Sequence, residues 1–76
     1  MRKITEVILG EDYLVTARFD NNHSVTIDMK KKLYTARFSE LRNKELFESA
    51  KTDGKSIFWP GWISITINEI MEFITK

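Results

Sequence analysis

The sequence predicts an α+β fold: a three-stranded antiparallel meander, then one or two short helices, a fourth short strand and a C-terminal amphipathic helix. Three observations carry this expectation. Apolar residues alternate with polar ones at Tyr13, Val15, Ala17 and Phe19, and again at Val25, Ile27 and Met29, the two-residue period of half-buried strands. Turn-forming clusters, Gly10-Glu11-Asp12 and Asp20-Asn21-Asn22-His23, separate these runs at hairpin spacing. Towards the C-terminus the apolar spacing changes to three and four residues, at Ile67, Ile70, Met71 and Ile74.

The elements follow in order. Ile4 to Leu9 is rich in branched side chains and stops at Gly10, as a first strand does. Tyr13 to Phe19 is the second strand, with Thr16 and Arg18 facing away from the core. Asn21 and Asn22 suit the turn to the third, because Asn tolerates positive φ. That strand runs from Ser24 to Met29. Asp28 is placed to cap a short helical turn over Met29-Lys30-Lys31-Lys32-Leu33-Tyr34, and Asn43 to cap a helix over Lys44 to Ala50. Lys51 to Lys55 reads as a loop and Ser56 to Trp59 as the fourth strand, stopped by Pro60-Gly61. Trp62 to Ile65 reads as extended chain. Thr66 and Glu69 stand at the spacing of a capping box, opening a helix over Thr66 to Ile74 with Asn68, Glu69, Glu72 and Thr75 on its polar side.

Composition limits the classes of function. A chain of 76 residues has room for one domain and one small core, and 42% hydrophobic with 30% charged residues is ordinary for a folded protein. With no cysteine there is no disulfide, no thiolate metal site and no cysteine nucleophile. The net charge of +1 shows no general bias towards nucleic acid or acidic lipid. No apolar run approaches the roughly 18 residues that span a bilayer, and the charged Met1-Arg2-Lys3 start leads into Glu6, Glu11 and Asp12 rather than a signal segment. A cytoplasmic protein without membrane contact is expected.

One family shares this order of residues. Phe19-Asp20-Asn21-Asn22, then Val25-x-Ile27-Asp28, Phe38-x-x-Leu41, Leu46-Phe47 and Ile57-x-Trp59-Pro60 before a terminal helix together resemble the domain of unknown function 2442 family of small bacterial proteins. The likeness covers Ile4 to about Ile70. The sequence departs from the family at four places: Asn22 stands where the family has the hairpin glycine, Gly61-Trp62 where it has Asn-Gly, Ser64 where it has Asp, and Ile67 where it has Pro. The family has no established activity. Its members occur alone or ahead of a helix-turn-helix domain, as in two-domain regulators, and often beside a partner family in toxin–antitoxin-like arrangements. The resemblance therefore implies a regulatory or antitoxin-like module that binds a protein partner or a second copy. A helix-turn-helix is not expected within these 76 residues.

No catalytic set is expected, and no cofactor or metal. The single histidine, His23, lies in a turn without a second histidine, and three glycines in all do not make a phosphate cradle. Asp28 reads first as a helix cap and second as a partner-binding carboxylate, because it matches a position of the family. Trp59 reads as core. Trp62, in the turn after Pro60-Gly61, is either a lid on the core or an exposed anchor for a partner, and Phe73, off the apolar stripe of the last helix, raises the same question. The alternative function is nucleic-acid binding, direct or through a partner. The basic segment Lys30 to Lys44 would supply the charge, through Lys30, Lys31, Lys32, Arg37, Arg42 and Lys44, with Tyr34 and Phe38 interleaved for stacking. Glu40, Glu45 and Glu48 in the same stretch weigh against it.

Overall fold

In a computed structural model, which describes residues 3–74, the chain forms two three-stranded antiparallel sheets and two α-helices. The first sheet is the expected meander: β1 (Ile4–Leu9), β2 (Leu14–Phe19) and β3 (Ser24–Asp28), in that order. Val15, Ala17, Phe19 and Ile27 face inward and are buried, as the alternation requires, and Met29 follows them into the core. Asn22 takes φ +69° in the turn between β2 and β3, the left-handed conformation that Asn tolerates.

The first hairpin differs from expectation at Tyr13. Both Asp12 (φ +57°) and Tyr13 (φ +62°) are left-handed, so the strand begins at Leu14 and Tyr13 belongs to the turn. Such a conformation costs a bulky residue about 1–2 kcal/mol. Three contacts of Tyr13 offset this: its hydroxyl donates to the Arg42 carbonyl at 2.7 Å, its ring meets Phe47 edge-on at 4.9 Å, and its backbone carbonyl accepts from the Met29 N–H.

The segment that follows covers the open side of the core. A 3-10 turn over Lys30–Tyr34 buries Leu33, and a second over Ser39–Arg42 buries Leu41 beside Phe38. The helix expected over Lys44 to Ala50 is shorter, α1 spanning Lys44–Phe47. Asn43 caps it as foreseen, its side chain accepting from the Glu45 N–H at 3.1 Å. Its early end has a cause. The Trp59 indole N–H donates to the Phe47 carbonyl at 2.9 Å, and the Ser49 hydroxyl to the Leu46 carbonyl at 2.6 Å, which takes up acceptors that further helical turns need.

Lys51 and Thr52, expected in a loop, form a two-residue strand, β4, paired with β5 (Ser56–Trp59). The turn between them is tied by Asp53, whose carboxylate accepts from the Lys55 and Ser56 N–H groups, and by the Thr52 hydroxyl donating to the Ser56 carbonyl. Those backbone donors also hold the Asp53 carboxyl below the usual carboxylate range. Gly54 (φ +96°) lies against Lys3 and accepts the Ile4 N–H at 2.8 Å, which ties the two sheets together. The extended segment before the last helix is a full strand, β6 (Ile63–Thr66), which completes the second sheet in the order β4-β5-β6. Ile57, Trp59, Ile63 and Ile65 point into the same core as the first sheet.

Helix α2 (Ile67–Ile74) starts with the capping box read from the sequence. Glu69 N–H donates to the Thr66 hydroxyl at 3.2 Å, and Thr66 N–H to the Glu69 carboxylate at 3.1 Å. Ile70 is wholly buried, with Ile67 and Met71 half-buried beside it. Thr75, the side chain of Ile74 and the charged start at Met1 and Arg2 lie outside the described residues.

Candidate functional site

Three surface features bear on function. The first is the tip of the β5–β6 hairpin. Trp59 pairs with Ile63, and Pro60, Gly61 and Trp62 turn the chain between them. Gly61 adopts φ +91°, and a Cβ there would meet the Glu40 carboxylate at 3.2 Å. Trp62 follows at φ +68° and is fully exposed, its relative accessibility reaching 102%. Its indole points into solvent and is not a lid on the core. The two tryptophans divide cleanly, Trp59 being 2% exposed.

The second feature is a hollow of about 520 Å³ between the edge of β3 and the second half of α2. Thr26, Asp28, Lys31, Lys32, Glu72 and Phe73 line it. Asp28, expected as the N-cap of the turn, stands one residue before it, because the turn begins at Lys30 with Met29 in the cap position; its carboxylate still accepts from the Lys30 N–H at 2.9 Å. Phe73 is half-buried, with the Lys32 ammonium 4.5 Å above its ring. Glu72, expected on the polar side of the last helix, and Thr26, which the sequence does not single out, belong to this hollow. The outward phase of β3 was the available signal for Thr26.

The third is a hollow of about 380 Å³ lined by Asp12, Tyr13, Lys30, Leu33, Tyr34 and Arg42. Tyr34 stands 84% exposed at its rim. The basic residues of Lys30 to Arg42 are therefore divided. Lys30 and Arg42 share this hollow, Lys31 and Lys32 face the other, and Arg37 is bound to Glu69. Phe38, expected to interleave with them for stacking, is buried beneath the Arg37 guanidinium.

The Arg37–Glu69 pair was not legible in the sequence. Both Arg37 Nη atoms donate to the Glu69 carboxylate, one of them at 2.9 Å, and Nη2 also reaches the Ser64 carbonyl. The guanidinium, with a smaller contribution from the Thr66 donors, holds the Glu69 carboxyl at about 2, against an ordinary 4.5. Among the described residues no group of three or more His, Asp or Glu side chains is arranged to hold a metal ion. His23 is exposed in its turn, where its N–H donates to the Asn21 side chain. No described helix is long and apolar enough to cross a membrane.

Compared with known proteins, the chain matches no family model, no curated protein and no solved structure.

Proposed function

We propose that this chain is a small regulatory or antitoxin-like module that works by binding a protein partner, with Trp62 as a principal anchor. One observation carries the reading: a fully exposed tryptophan in a left-handed backbone conformation. That conformation costs a bulky residue about 1–2 kcal/mol, and an exposed indole recovers nothing by burial within its own chain. Gly or Asn at this position would relieve the strain at no loss of packing. A side chain kept against the interest of the fold is explained by what it meets outside the fold, and tryptophan is the residue most enriched at interface hot spots. The resemblance points the same way, since the family carries a small residue in this turn. The test compares pulldowns from the native cell with the wild-type chain and with Trp62→Asn, which keeps a tolerated left-handed residue. A stoichiometric protein retained by the first and lost by the second supports the reading; equal retention by both refutes it.

A second reading, nucleic-acid binding, is favoured by the hollow that places Lys30 and Arg42 beside the exposed Tyr34 ring. Two cations and a stacking face are the elements of single-strand recognition. This reading expects binding of a single-stranded oligonucleotide to weaken steeply with salt and to be lost in Tyr34→Ala and in Lys30→Ala/Arg42→Ala. Salt-insensitive binding, or none, in a gel-shift assay eliminates it.

A further inference from the structure

The junction of the two sheets runs through a peptide with its own chemistry. Asp53-Gly54 is the sole place in the chain where an acidic or amide side chain precedes glycine. With no side chain on the second residue, nothing shields its nitrogen, which can attack the Asp side-chain carbon. The N–Cγ bond forms, the carboxyl hydroxyl leaves, and the amide proton joins it as water, which gives a five-membered imide. A second water then opens the ring. Opening at the main-chain carbonyl routes the backbone through the former side chain, as isoaspartate.

In the folded chain both reacting groups are held apart from this course. Gly54 is buried and fixed at three points. Its N–H donates to the Thr52 hydroxyl at 3.0 Å, its carbonyl accepts the Ile4 N–H at 2.8 Å, and a Cβ on it would meet Lys3 at 3.1 Å. Asp53 Oδ1 accepts from the Lys55 N–H at 2.9 Å, the Ser56 N–H at 3.0 Å and the Ser56 hydroxyl at 3.3 Å. Those donors keep the group ionised, and a carboxylate has no hydroxyl to lose.

We propose that Asp53-Gly54 is a modification site gated by the fold, which converts to isoaspartate when the β4–β5 turn opens and thereby unfastens the two sheets. The isomerised backbone is one methylene longer between Thr52 and Gly54. Gly54 then cannot meet the Thr52 hydroxyl and the Ile4 N–H together, so the junction is lost for good once the ring has opened. The site is separate from the Trp62 tip and does not depend on it.

The experiment ages the intact chain at neutral pH beside a synthetic peptide spanning Lys51 to Ile57. Isoaspartate is read by enzymatic methylation of its free carboxyl and located by peptide mapping in a mass spectrometer. The folded chain is expected to convert at least about tenfold more slowly than the peptide, because reaction waits on a local opening. Thr52→Val frees the Gly54 N–H and is expected to raise the rate about threefold or more. Ser56→Ala, which takes one donor from the Asp53 carboxylate, raises it as well and serves should Thr52→Val fold poorly. In the isomerised chain, separated by reversed-phase chromatography and refolded, the Ile4 amide exchanges fast with solvent, whereas it is slow in the unmodified chain. Trp62→Asn ages at the wild-type rate. The proposal is overturned by a folded chain that converts as fast as the peptide, by folded Thr52→Val and Ser56→Ala chains that both age at the wild-type rate, or by an isomerised chain whose Ile4 amide stays protected.

Discussion

Arg37 and Glu69, 32 positions apart, are joined by two parallel hydrogen bonds, and the same carboxylate closes the capping box with Thr66. One acidic side chain thus starts α2 and fastens the irregular segment before Phe38 to the end of β6, where Arg37 also holds the Ser64 carbonyl. Bidentate geometry raises this pair above an ordinary surface ion pair, although both side chains keep partial solvent access.

The pair predicts a specific acid sensitivity. The Glu69 carboxyl is lowered from 4.5 to about 2 in the folded chain, so the folded state binds fewer protons than the unfolded state between those values. The stabilisation is complete above the ordinary carboxylate range and is lost as pH falls towards 2. After allowance for solvent screening it is worth roughly 1–2 kcal/mol. Urea unfolding at stepwise lower pH should show this loss. Glu69→Gln should be less stable at neutral pH and should flatten the acid limb, and an unchanged limb would count against the pair.

Tyr13 predicts a smaller effect at one atom. Tyr13→Phe keeps the ring on Phe47 but removes the hydroxyl that donates to the Arg42 carbonyl. The expected cost is about 1 kcal/mol by chemical denaturation. A neutral result would show that water replaces the phenol without penalty.

The two tryptophans should behave as opposites. Trp59→Phe removes buried volume and leaves the Phe47 carbonyl without its indole donor, for a loss of about 2–4 kcal/mol. Trp62→Asn removes an exposed ring from a left-handed position and should be neutral or stabilising by up to about 1 kcal/mol. Iodide quenching of intrinsic fluorescence gives an independent check: nearly all quenchable emission should vanish with Trp62.

These outcomes bear on how much of the molecule could be read from its residues. The meander was legible because its alternation is strict, and α2 because a capping box and an apolar stripe agree at one boundary. Strand β4 was not, since Lys51 and Thr52 carry no pattern of their own and are strand only through pairing with Phe58 and Ile57. The length of α1 depended on an acceptor taken by Trp59, a contact across the fold that local spacing does not encode. The same holds at the surface. Trp62 stood out as a residue of interest, but its exposure and backbone strain exist only once the hairpin is built. The basic stretch looked continuous along the chain and is divided in space, because a 3-10 turn sends Lys30 and Lys31 to different hollows and Glu69 takes Arg37.

Stability and partner retention of Trp62→Asn, measured side by side with the wild-type chain, decide whether this indole serves a partner or the fold. A melting temperature equal to or above that of the wild type is expected, together with loss of the protein partner that the wild type retains. A destabilised variant, or one that retains the partner undiminished, would overturn a partner role for Trp62.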